Sequence, residues 1–63
     1  MCESAVYLIR GEVKSLVMQD AAKVVITDEG AVVVNSLGER KVVKDADLLE
    51  ANLIRHEILL RPK

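Results

Sequence analysis

A chain with no Phe, no Trp and Tyr7 as its sole aromatic must build its core from aliphatic side chains. Large rings usually anchor a small core, each burying roughly 150 to 250 Å². Here Val, Leu, Ile and Ala have to supply nearly all the apolar area, at about 25 cal/mol for each Å² removed from water. The 63 residues are read as one domain, and a chain of that size hides only about 60% of the surface it exposes when unfolded. Such domains reach about 3 to 5 kcal/mol unless a disulfide, a metal or a second subunit contributes. Cys2 is the single cysteine, so no disulfide can form within the chain. A metal, self-association, or both remain, and closed two-fold dimers are the commonest form of self-association.

Charge narrows the partners. Nine Lys plus Arg against ten Asp plus Glu give a formal net charge of −1, with both signs interspersed along the chain. Attraction to phosphates supplies most non-specific nucleic-acid affinity, and stacked aromatics supply much of the rest, so a near-neutral chain with one ring argues against nucleic acid. Arg10, Lys14, Lys23, Arg40, Lys41 and Lys44 are better explained as solvated strand faces. The apolar run Ala5 to Ile9 is too short for a signal peptide, and no stretch approaches the ~20 apolar residues of a membrane span. With an unpaired thiol that fits a reducing interior, the expected location is the cytoplasm.

Gly11, Gly30, Gly38 and Pro62 are the strong punctuation. Ala5 to Arg10 reads as a buried strand closed by a turn at Gly11, with Glu12 to Met18 as its hairpin partner. Ala22 to Thr27 and Ala31 to Asn35 flank Asp28-Glu29-Gly30, a three-residue connection whose Gly suits the left-handed position of a bulged hairpin. Ser36-Leu37-Gly38 leads to a further strand at Arg40 to Val43, which completes a meander. Strands at this spacing predict a small barrel or sandwich. Tyr7 is expected to be the main core anchor. The tail from Asp45 to Arg61 stays open between a helix, from the spacing of Leu49, Leu53 and Leu60, and two short strands meeting near Arg55-His56.

Catalysis needs proton-transfer or nucleophilic groups arranged around an orienting partner. Cys2 and His56 are single, Ser4, Ser15 and Ser36 lie in no nucleophile motif, and there is no Gly-rich phosphate loop. The chain is therefore expected to bind, not to catalyse. Glu3, Asp20, Asp28, Glu29, Asp45 and Asp47 are scattered near turns and read as solvated surface.

Cys2 is the residue out of place, because free cysteines are usually buried and chain ends fray. One reading is an incidental terminal thiol. The other begins from chemistry: with Met1 removed, the α-amine, the thiolate and the neighbouring amides fall within one chelating reach. Sets of sulfur and nitrogen donors favour Ni(II) or Cu(II) in square-planar geometry. One chain offers too few side-chain ligands, whereas a two-fold axis near the chain starts would bring two copies of Cys2 together. The same approach would allow an intermolecular disulfide. His56 is the other good transition-metal ligand, and beside Arg55 at a turn it reads chiefly as a surface residue.

Met1-Cys2-Glu3 followed by Ala5-Val6-Tyr7-Leu8 resembles the start of the CooT family, small nickel-binding proteins linked to maturation of carbon monoxide dehydrogenase. The Val-rich meander, the turn Leu37-Gly38-Glu39 and the segments Asp47-Leu48-Leu49 and His56-Glu57-Ile58-Leu59-Leu60 agree with that pattern over nearly the whole chain. The resemblance implies an all-β, SH3-like barrel of about six or seven short antiparallel strands, forming a homodimer. It also implies Ni(II) bound through Cys2 near the dimer interface, for storage or delivery to a client metalloenzyme, and it tips the tail toward two strands. The rival functions are an SH3-like or Sm-like RNA-binding module and a small interaction subunit that pairs through an exposed strand edge.

Overall fold

The computed structural model describes residues 3–63. Six strands follow one another: β1 (Ser4–Arg10), β2 (Val13–Thr27), β3 (Gly30–Asn35), β4 (Arg40–Lys44), β5 (Ala46–Asn52) and β6 (Glu57–Pro62). They form one sheet in the order β4-β3-β2-β1-β6-β5, which curls on itself into an all-β half-barrel of the small SH3-like kind. The two edge strands, β4 and β5, are consecutive in the chain and joined by Asp45 alone. That corner closes the sheet covalently at one end.

The corner is held by backbone bonds. Asp45, at φ 55°, donates its N–H to the Glu29 carbonyl at 2.9 Å and accepts the Lys63 N–H at 2.8 Å. Lys63 Nζ donates to the Asp28 carbonyl at 2.9 Å. At the opposite end, the Ala5 N–H donates to the His56 carbonyl at 2.9 Å. Asn35, 8% exposed, organises the β3–β4 turn: its Oδ1 accepts the N–H groups of Leu37 and Glu39, and its Nδ2 donates to Glu39 Oε1 at 2.7 Å. A buried amide satisfied on both its oxygen and its nitrogen fixes the turn without leaving a desolvated polar atom.

Period-2 alternation selects the core. Val6 and Leu8 of β1, Ala21 of β2, Ala31 and Val33 of β3, Ala46 of β5 and Leu60 of β6 are enclosed, with Val17, Met18, Val24, Val43 and Ile58 packed against them. Three of those seven enclosed residues are alanines, so the buried area per residue is low. The aliphatic core expected from composition is present.

Four details differ from the sequence reading. Glu12 to Met18 and Ala22 to Thr27 belong to one long strand, β2. No Gly or Pro interrupts it, and the bend falls at a register shift between Ala21 and Lys23, where buried Ala21 pairs with both Ser4 of β1 and Asn35 of β3. The β2–β3 connection is two residues, with Thr27 opposite Gly30 in the ladder. Gly30 is there because β4 crosses so close: a Cβ would overlap the Val43 carbonyl oxygen and lie 2.9 Å from the Asp45 nitrogen. Of the five pairings, β1–β6 is parallel, because the β5–β6 hairpin folds back and lays its second strand beside β1 in the same direction. Tyr7 is not the core anchor; flanked by buried Val6 and Leu8 it must face outward, half-buried, with Lys14 Nζ 4.3 Å from its ring centroid.

The tail resolves as strands. β5 and β6 form an antiparallel hairpin around Leu53 to His56, and His56 at φ 56° makes the last residue of its turn. Leu49 and Leu53, which would share a helix face, are both exposed, whereas Leu60 is enclosed.

Candidate functional site

Cys2, the residue singled out for metal, lies outside the described residues. The contacts of the first described residues are these. Ser36 Oγ donates to Glu3 Oε2 at 3.4 Å. Ser4 pairs with Ala21, and Ala5 bonds to the His56 carbonyl. Glu3 thus touches the β3–β4 turn and Ala5 the end of the β5–β6 turn.

His56 is brought to this end by the parallel seam. Because β1 and β6 run in the same direction, the residue that precedes β6 sits beside the start of β1. The sequence names His56 as the second transition-metal donor and the fold puts it next to the first residues of β1, exposed to solvent. Separation along the chain concealed this: Ala5 and Glu57 are paired across 52 positions (57 − 5). Among the described residues no group of three or more His, Cys, Asp or Glu could hold a metal.

Other surfaces are less suited to chemistry. Lys41 Nζ donates to the Val17 carbonyl at 3.1 Å, tying β4 to β2. Lys14 caps the Tyr7 ring and lies 3.9 Å from half-buried Glu57, a long, solvent-reached pair worth about 1 kcal/mol at most. Lys23 and Arg40 stand two strands apart, both opposite Val34. The cations are dispersed over separate features, in keeping with solvated strand faces. An open apolar groove of about 280 Å³ runs between β2 and the β5–β6 hairpin, lined by Ala21, Val24, Ile26, Leu48, Ala51 and Ile58. It contains no ionisable cluster. Among the described residues no helix is long and apolar enough to cross a membrane.

Sequence reasoning passed over the two turns around the chain start. Leu37, Leu53 and Ile54 are 83%, 75% and 92% exposed, the three most exposed large hydrophobics of the described chain. The available signal was the pair Leu53-Ile54 in a stretch that also reads as a turn, where Gly, Asn, Asp, Pro and Ser are the usual occupants.

Among curated proteins none matches the chain. Among solved structures, a crystal structure described as a CooT from Carboxydothermus hydrogenoformans superposes with a TM-score of 0.85, at 31% sequence identity, covering 98% of each chain. The family model for the CO dehydrogenase accessory protein CooT matches residues 1–61. A strand order, a curled sheet and a chain start that agree with this family over nearly every residue leave one conclusion: the chain belongs to the CooT family of accessory proteins.

Proposed function

We propose that this protein is a nickel-binding accessory protein that works as a homodimer, holding one Ni(II) between the Cys2 thiolates of two chains and storing it or passing it to a client metalloenzyme. The ion is cargo, and the protein carries out no reaction of its own. Membership of a CO dehydrogenase accessory family supports the accessory role and the existence of a client.

The observation that carries the reading is the setting of the first described residues. Glu3 and Ala5, the residues that follow Cys2 in the chain, are bonded to the β3–β4 turn and to His56, which supports a reading in which the β5–β6 turn lies near the metal end. Thiolate is a soft donor suited to Ni(II), and two chains double the sulfurs from one to two. Imidazole also suits nickel, and exposed His56, whose carbonyl accepts the Ala5 N–H, is the candidate for an additional donor.

Calorimetric titration of the wild-type chain with Ni(II) is expected to saturate at one ion per two chains, and Cys2→Ser to abolish that uptake. His56→Asn distinguishes an auxiliary donor, which would lower affinity while leaving the stoichiometry, from a bystander. The thiolate must lose its proton to coordinate, so affinity should fall as pH drops, by about tenfold per unit for each proton displaced. Unchanged affinity in Cys2→Ser would refute the assignment.

A further inference from the structure

The half-barrel is left open along one seam. Among the described residues β5 is hydrogen-bonded only to β6, and β2 beyond Ala21 only to β3, so the groove between them is bordered by two strand edges without a neighbour. Side chains there point inward and still meet water. Ile26 stands opposite Ala31, and Leu48 opposite Leu60; both partners are fully enclosed, yet Ile26 and Leu48 are 40% and 42% exposed. Residues directly opposite each other share a face of the sheet, so these two belong to an interior that is uncovered at the seam. The groove's volume of about 280 Å³ is nearly twice that of an apolar cavity of about 150 Å³ that takes up one benzene ring, which leaves room for about two aliphatic side chains.

The backbone at the seam is set to receive a strand. The Asp45 carbonyl accepts the Lys63 N–H on the β6 side, and by the alternation of an antiparallel ladder the Leu48 N–H lies on the outer side. There its bond is to Asp47 Oδ1 at 2.8 Å, a side-chain oxygen in the place of a carbonyl from a further strand. Exposed edges are ordinarily guarded by charge, above all by Lys. β4, the other edge, is guarded in this way by Arg40, Lys41 and Lys44 within five residues. β5 has no cation in seven; it exposes Leu48, Leu49 and Ala51, and its charges are Asp47 and Glu50. Acids also prevail around the seam. Glu3, Asp20 and Asp28 accompany Lys23 along the β1–β2 side, and Arg61 stands opposite Asp47. Glu29 and Asp45 outnumber Lys44 at the closed corner, and Arg55 with His56 lies in the turn at the other end. Glu57 is engaged by Lys14, and Lys63 by the Thr27 and Asp28 carbonyls.

We infer that the seam takes up an extended segment of a partner protein as an added strand on the outer edge of β5, one that alternates aliphatic residues with Lys or Arg. The aliphatic side chains enter the groove against Val24, Ile26, Leu48 and Ala51. A carbonyl of the incoming strand takes over the Leu48 N–H, and the Asp47 carboxylate so released, with Glu50, faces the cations on the outward side. Strand uptake requires neither Cys2 nor a metal, so it stands or falls apart from the nickel reading.

The test is a titration of the isotope-labelled, metal-free full chain with capped hexapeptides, read by amide chemical shifts. Alternating Lys-Val is expected to bind saturably, shifting Val24, Ile26, Leu48 and Ala51, and at least about tenfold more tightly than alternating Glu-Val. Of two Lys-Val peptides, N-methylated on valine or on lysine, at least one is expected to lose binding, since a strand bonds its neighbour through alternate residues. Glu50→Lys should weaken the Lys-Val peptide at least about fivefold and strengthen the Glu-Val one, and Ala51→Phe, which fills the groove, should weaken both. Both positions are exposed, and either variant serves if the other does not fold. Cys2→Ser should bind as the wild type does. Absence of saturable shifts, shifts away from the seam, or undiminished binding of both N-methylated peptides overturns the inference. The same resonances moving on dilution of the chain alone would place a second copy at the seam and overturn it as well.

Discussion

At Gly30 the backbone of β3 passes so close to β4 that a single methyl group has nowhere to go. The φ of 145° is open to glycine, and the obstructing atoms are the backbone of Val43, Lys44 and Asp45, which cannot rotate aside as a side chain could. Gly11, at φ 59° in the β1–β2 hairpin, has open space around it. Gly30→Ala should therefore lose at least about 2 kcal/mol and Gly11→Ala only about 1 kcal/mol, read as the shift of the urea midpoint. Equal losses would show that conformation alone, and not the crossing of β4, constrains position 30. The sequence marked Gly30 as special for the wrong physical reason, since a close approach between strands leaves no local signature. Tyr7 illustrates the same limit. Its size suggested an anchor, but alternation within β1 assigns the inward positions to Val6 and Leu8, and alternation outranks size. Cys2 was singled out from chemistry alone and lies outside the described residues, whereas the nearness of His56 to the first residues of β1 is a tertiary fact.

The elements of the meander were legible because short-range signals agree: β-branched runs, turn residues and period-2 burial all select the same strands. The tail was not, because Leu49, Leu53 and Leu60 satisfy a helical spacing as well as a hairpin. What decides it is the partner. Leu60 is enclosed because β6 lies beside β1. β2 shows the converse, two expected strands that are one, since a bend at a buried alanine needs no breaker residue. Position in the sheet then ranks the elements by protection. β1 and β3 are hydrogen-bonded on both sides, and β4 and β5 on one. Amide exchange should be slowest in β1 and β3 and at least about tenfold faster in β4 and β5, measured by NMR under native conditions. Protection of β5 equal to that of β1 would mean that its outer edge does not face solvent.

Taken whole, the molecule has an aliphatic core in which, among the described residues, alanine takes three of seven enclosed places while ten large hydrophobics remain exposed. A fold with so small a core gains from anything that binds its native form alone. If two folded chains share one ion, Ni(II) at about a hundred times its dissociation constant should add about 2.7 kcal/mol to the pair, about half of that to each chain, which raises the melting temperature by roughly 5 to 10 °C. The rise should shrink as pH falls, because protons compete for the thiolate. No rise at neutral pH would mean that the unfolded chain holds the ion equally well. The parallel seam bears on how such a molecule is made. Joining Ala5 to Glu57 closes a loop of about fifty residues, at a cost of roughly 1.5 kcal/mol beyond that of a ten-residue loop. Since β6 supplies Leu60, a growing polypeptide on the ribosome has no complete interior until that strand emerges. Until that sixth strand is added, the valine-rich middle waits uncovered.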